Sequence, residues 1–249
     1  MRVHEGLIPQ PILDLQMSDA RPCDFHPDLV RFDYPLRHLQ EALKRKRKVK
    51  IVAIGSSSTA GADGVLPYPP RLEMLLRQAF YGRMVDVLNR GIGGQEAPEE
   101  LSRFESDVIG EAPALVIWQV GTNAVYHKDD YNFDDVTAAI AAGLDWLADL
   151  PMDVVLMDLQ YTRALVDPPG KLDLSNQMVS LISTTAGDKG VNVFNRFNLM
   201  QRWVQDGIPI EELDDGAQAQ LHTSDWATNC VTQALFGAIK LAVEADGIT

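Results

Sequence analysis

The chain has 249 residues, 46% of them hydrophobic and 23% charged, enough to bury the core of one large α/β domain. Asp and Glu outnumber Lys and Arg by 35 to 22, a net charge of −13. Such a chain repels nucleic acid and anionic lipid, so neither is expected as a partner. There is no run of 18 apolar residues, no signal-peptide pattern over residues 1–20 and no C-x-x-C pair. These absences argue against a membrane span and a zinc-ribbon or thioredoxin-like site. They point to a soluble, cytoplasmic protein as the sequence stands, or a periplasmic or secreted one if a leader was removed. They leave open the oligomeric state and whether Cys23 and Cys230 pair.

Residues 1–34 are rich in Pro, Asp and Arg, show no period, and read as an irregular arm packed on a single domain over 35–249. Pro35–Lys46 has Leu36, Leu39 and Leu43 at helical spacing and ends in a basic run that suits a solvated helix C-terminus. Strands are predicted over 49–54, 85–88, 114–120, 154–159 and 191–194. Between and after them, helices are predicted over 70–80, 98–109, 133–150, 172–189 and 227–243. Strict alternation implies βα units and a parallel five-stranded sheet, and near-continuous apolar strands imply that both faces are covered. The fold class is therefore a three-layer α/β/α sandwich.

In such sheets ligands bind beyond the carboxyl ends of the strands. Reactive residues cluster there. Gly55-Ser56-Ser57-Ser58-Thr59-Ala60-Gly61 follows the first strand, Asn89-Arg90-Gly91-Ile92-Gly93-Gly94 the second, and Gly121-Thr122-Asn123 the third. His222 lies just before the last helix. A hydroxyl, a Gly turn offering N–H groups, a side-chain amide and an imidazole are the parts that acyl transfer needs. The Gly-x-Ser-x-Gly elbow is absent, because Thr59 stands at its last position.

These blocks resemble those of the SGNH, or GDSL-type, hydrolases, whose sheet is flavodoxin-like. Gly55, Ser57, Thr59 and Gly61 match the first block; Asn89, Gly91 and Gly94 the second; Gly121 and Asn123 the third; and His222 the last. The resemblance implies that Ser57 is the nucleophile and His222 its base. It implies an oxyanion hole formed by Ser57, Gly94 and Asn123, with no metal and no cofactor. It also implies a small-molecule or glycan ester as substrate, with a short acyl group and an acetylated carbohydrate as the favoured case. Gln160 and Tyr161, at a strand end, are weaker candidates for lining the substrate pocket, as are Trp118 and Gln119.

Two positions depart from the family pattern. Ser56 replaces the Asp of the first block, so any loop-stabilising role of that carboxylate must be filled differently; Ser56 can still bond backbone groups locally. Ala219 stands where an Asp three residues before the His should orient the imidazole. A backbone carbonyl or another carboxylate can take that role; Asp214 and Asp215 lie upstream, and Asp225 is the expected substitute. The alternative readings are a Ser57–His222 dyad without an orienting acid and a catalytically impaired binding protein of the same fold.

Overall fold

The computed structural model describes residues 21–245 except Asp63; the first 20 residues of the expected arm lie outside the described part. Five strands form one parallel sheet: β1 (Lys48–Gly55), β2 (Met84–Gly91), β3 (Leu115–Gln119), β4 (Asp153–Met157) and β5 (Asn192–Phe194). Their order is β2-β1-β3-β4-β5, the flavodoxin-like order the resemblance implies.

Each strand divides its side chains between two cores. Ile51 and Ala53 of β1, Leu115 and Ile117 of β3, and Val155 and Met157 of β4 face one layer. Val52, Ile54, Val116, Trp118 and Leu156 face the other. Alternating side chains that are apolar on both faces require helices on both sides. On the first side lie α2 (Arg37–Arg45), α4 (Tyr68–Ala79), α11 (Arg196–Gln205) and α12 (Asp225–Glu244). On the second lie α5 (Ala97–Leu101), α6 (Phe104–Asp107), α8 (Phe133–Leu147) and α10 (Lys171–Asp188). Short helices α1 (Pro27–Val30), α3 (Ser57–Ala60), α7 (Thr122–Tyr126) and α9 (Arg163–Val166) complete the set among the described residues.

The structure revises the expected elements in several places; the short α3, α7 and α9 are additional helices, and β2 extends to Gly91. The helix predicted over 98–109 is broken into α5 and α6. The hydroxyls of Ser102 and Ser106 accept the alternative offered by nearby carbonyls, donating to Glu99 O at 2.6 Å and Arg103 O at 3.2 Å. Helix α11 has no counterpart in the sequence reading. The arm is not wholly irregular. It contains α1, buries Val30 and Phe32, and is bonded to α12 through a Cys23–Cys230 disulfide.

β1 connects to β2 on one side of it, and β2 connects to β3 on the other. The chain therefore changes winding direction between β1 and β3, and the crevice at their carboxyl ends is the topological switch point. Ser57 follows one of these strands and Asn123 the other.

Candidate active site

Ser57 is the first residue of the one-turn helix α3. Ser56 before it is extended, so the chain turns sharply from β1 and leaves Ser57 at the rim of the sheet. Second-block residues hold this turn. Asn89 Nδ2 donates to Thr59 O at 2.8 Å and Ala60 O at 3.2 Å, while Asn89 Oδ1 accepts from Gly91 N at 2.9 Å. A Cβ on Gly91 would lie 2.1 Å from Ala60 N, so only glycine permits this approach.

Ser57 Oγ lies 3.0 Å from His222 Nε2, which is hydrogen-bond distance between a hydroxyl and an imidazole. His222 sits on a short antiparallel bridge between Asp214 and Thr223. Asp215 N donates to His222 O at 2.9 Å on that bridge. This places the Asp215 carboxylate, with its side chain only 5% exposed, behind the ring: Oδ2 is 3.7 Å from His222 Nδ1. Asp215 Oδ1 accepts from Ala217 N at 2.9 Å. Asp214 is engaged elsewhere, accepting two 2.7 Å bonds from the Arg163 guanidinium.

Asp225, the expected orienting acid, is placed elsewhere. Its carboxylate pairs with the Arg71 guanidinium and its side chain is 75% exposed. The helical twist at the start of α12 turns it away from the bridge that carries His222. Nor does it cap that helix; Ser224 Oγ does, accepting from Ala227 N at 3.1 Å.

The second-block turn lies beside the serine. A Cβ on Gly93 would come 3.8 Å from Ser57 Cβ, and Gly94 is exposed, with φ 82°. Asn123 is buried on α7 and donates from Nδ2 to Gln95 O at 2.7 Å. The Tyr131 hydroxyl donates to Gly94 O at 3.1 Å, and burial together with the Glu99 and Glu96 carboxylates pushes its pKa up to about 12. Buried Glu96 fastens the turn to α7 by accepting from Gly121 N at 2.7 Å and Ala124 N at 2.9 Å. Burial raises its pKa although these N–H groups oppose the shift. Beneath it, Glu100 is held well above the carboxylate range by burial and by Glu96, and accepts from Trp118 Nε1 at 2.7 Å.

Gln160 and Tyr161 do not form the expected pocket wall. Gln160 is fully buried and bonded to Leu221 O and Arg196. Tyr161 packs edge-on against Phe197, with ring centroids 5.0 Å apart. Trp118 and Gln119 are likewise buried. The cleft itself is lined by Ser57, Ser58, Ala62, Val65, Pro67 and His222, with a cavity of about 20 Å³. Asp24, His26 and Asp206 bring potential metal-ligand atoms within 4.8 Å of one another. They lie where the arm meets the end of α11, and His26 Nε2 is 3.0 Å from Asp206 Oδ2 there.

For two residues named from the sequence, only the tertiary structure shows the contacts they make. Asp215 was one of three neighbouring acids, with no local signal to separate it from Asp214 or Asp225. Gln119, a pocket candidate in the sequence, instead bonds the turn that carries Ser57.

The model of the Non-GDSL lipase-like family matches residues 22–245, and the chain belongs to that family. Over 76 residues the chain is 34% identical to the uncharacterized lipoprotein YqeF of Bacillus subtilis (strain 168). That match covers 29% of this chain and 31% of YqeF, so the chain spans about a third of the curated relative. The fold is similar to Axe2, an acetylxylan esterase from Geobacillus stearothermophilus, with TM-score 0.65, 19% identity, and coverage of 77% of this chain and 94% of that one. Solved catalytic mutants of Axe2 replace a serine, a histidine and an aspartate. LAE5, an alpha/beta hydrolase enzyme from the metagenome of Lake Arreo, Spain, is similar at TM-score 0.65 and 18% identity, covering 77% of this chain and 96% of its own.

Proposed function

We propose that this protein is a serine hydrolase of SGNH type that cleaves short-acyl esters through an acyl-enzyme on Ser57. The observation that carries the proposal is the 3.0 Å contact between Ser57 Oγ and His222 Nε2, with Asp215 3.7 Å behind the ring. His222 takes the hydroxyl proton as Ser57 attacks the ester carbonyl. The N–H groups of Ser57 and Gly94 and the Asn123 amide hold the oxyanion. Collapse expels the alcohol with the proton from His222. Water, activated by the same imidazole, then releases the acid. Asp215 stabilises the imidazolium that forms in both steps. It supplies the carboxylate missing at Ala219, which favours an active enzyme over an impaired binder.

The cleft beside Ser57 is narrow, walled by Ala62, Val65 and Pro67, which favours a short acyl group. Similarity of fold to an acetylxylan esterase supports an acetylated carbohydrate as the alcohol component. A fluorophosphonate probe should label the wild type and not Ser57→Ala. p-Nitrophenyl acetate should be cleaved faster than the octanoate, and acetylated xylo-oligosaccharides should release acetate. A folded wild type that neither reacts with the probe nor hydrolyses any of these esters would overturn the proposal.

A further inference from the structure

The turn that carries Ser57 and the bridge that carries His222 are joined by a buried line of side chains. Gln119 Oε1, at the end of β3, lies 3.0 Å from Ser56 N and 2.9 Å from Ser56 Oγ. The hydroxyls of Ser58 and Thr59 each come within 3.3 Å of the same oxygen. The Gln119 amide nitrogen donates to Thr122 Oγ1 at 3.3 Å, and Thr122 donates to Gln160 Oε1 at 3.0 Å. Gln160 Nε2 donates to Leu221 O at 3.1 Å, next to His222, and Thr162 Oγ1 donates to that carbonyl at 3.1 Å. Ser56, Gln119, Thr122, Gln160 and Thr162 are all at most 1% exposed.

The direction of this line is fixed at its ends. Ser56 N–H can only donate and Leu221 C=O can only accept. Arg196 Nη2, which can only donate, holds Gln160 Oε1 at 2.9 Å. Flipping Gln119 would set its NH₂ against the Ser56 N–H. Flipping Gln160 would set an oxygen against the Leu221 carbonyl and an NH₂ against Arg196. The Thr122 hydroxyl between them is left one role, accepting from Gln119 and donating to Gln160. A buried network with a single consistent arrangement is stiff, because any alternative leaves a desolvated polar group unpaired.

We infer that Gln119 and Gln160 are positioning residues that set the Ser57–His222 geometry as a coupled pair. Gln119 also does for the nucleophile turn what the carboxylate absent at Ser56 would do, by accepting from the turn's N–H and hydroxyls. Glycine at position 55 admits it: a Cβ there would lie 2.8 Å from Gln119 Oε1 and 2.5 Å from Thr59 Oγ1. This inference rests on the reading of Ser57 and His222 as the reacting pair.

The test is a double-mutant cycle on p-nitrophenyl acetate hydrolysis with Gln119→Leu, Gln160→Met and the pair together. Circular dichroism would confirm folding. Gln119→Glu would be measured alongside, since it keeps the acceptor toward Ser56 and removes the donor toward Thr122. Misplacing reacting atoms by about 1 Å costs on the order of 10²-fold. Each single variant should therefore lose kcat on that order with KM nearly unchanged. The double variant should fall no further than about threefold below the worse single, because either break severs the same line. Gln119→Glu should lose kcat as well, although its anchor to the turn is intact.

A second readout does not need turnover. The imidazole Cε1–Hε1 NMR signal of His222 should move in Gln119→Glu, across the whole line from the substitution. Losses that multiply in the double variant, or a His222 signal unmoved by Gln119→Glu, would overturn the coupling. If Ser57→Ala keeps full hydrolysis, the proposed function fails instead. The NMR shift then still decides whether Gln119 positions His222.

Discussion

Asp215 and His222 face each other across a two-residue antiparallel bridge, with Oδ2 3.7 Å from Nδ1 and Asp215 N bonded to His222 O at 2.9 Å. The acid thus sits seven positions before the histidine, where the SGNH pattern that the sequence resembles has it three before. The loop between them turns back through Gly216 at φ 69° and Gln220 at φ 51°.

Removing that acid should slow the chemistry while leaving substrate binding nearly intact. In the serine protease example the equivalent Asp→Asn change lowers kcat about 10⁴-fold. The wider spacing here leads us to expect a loss of about 10²- to 10⁴-fold for Asp215→Asn. Asp225→Asn should change kcat less than about threefold, because an exposed ion pair such as Asp225–Arg71 is worth little. Steady-state kinetics on an activated acetate ester, run on both variants, distinguish the two acids.

Gly91→Ala should damage both the fold and the activity. The added methyl would meet Ala60 N at 2.1 Å and Ala60 Cα at 2.6 Å. Both are backbone atoms of α3, the helix that begins at Ser57, and cannot swing aside. Overpacking of this kind costs about 1–3 kcal/mol or more. A lowered denaturant midpoint should accompany a loss of probe labelling at Ser57.

Loss of the Cys23–Cys230 bond should destabilise the protein by about 2–4 kcal/mol, since the bond closes a loop of 207 residues. Trp203 Nε1 donates to Asp24 O at 2.7 Å and Trp226 Nε1 to Arg21 O at 2.8 Å, with the two rings 5.2 Å apart. In Cys23→Ala/Cys230→Ala, tryptophan fluorescence should therefore report release of the arm at a lower denaturant concentration than in the wild type. Coincident wild-type and variant curves would contradict this.

Asp158 predicts a pH dependence. It is fully buried at the end of β4, and burial raises its pKa to about 7, against the pull of Arg196 and the Phe197 N–H. Its Oδ2 has no protein hydrogen-bond partner. An unfolded Asp titrates near 3.9, so between about pH 4 and 7 the folded state holds the proton more tightly. Stability from this group is greatest below the unfolded value and declines as pH rises toward 7, beyond which the buried charge is carried in full. Asp158→Asn should accordingly raise Tm relative to wild type more at pH 8 than at pH 5. An equal difference at both pH values would show that Asp158 does not titrate as stated.

Much of the fold was legible because the strands are apolar on both faces and the helices carry one apolar stripe. Those periodicities depend only on side-chain geometry along an element, and they place Ser57 and Asn123 after β1 and β3 and His222 before α12; Asn89, expected after a strand, lies within the longer β2. The break between α5 and α6 was less visible, since a serine hydroxyl competing for a helix carbonyl leaves the apolar period intact. Helix α11 did carry a helical pattern, with Phe197, Met200 and Trp203 buried along it.

The sequence by itself determined the order of strands and helices, singled out the hydroxyl and the imidazole that the structure brings to 3.0 Å, and supplied the glycines that let the Ser57 turn close against β2. Tertiary structure alone decided which acid faces the histidine, what replaces the first-block carboxylate, and which polar residues face inward. Asp214, Asp215 and Asp225 are alike in local sequence. Their roles separate only when Arg163 takes the first, the bridge to Thr223 turns the second toward the ring, and Arg71 draws off the third. Gln119 and Gln160 lie 41 positions apart on different strand ends. They become one line only because the sheet sets β3 beside β4 and buries the space between them, where an unpaired amide is too costly to leave.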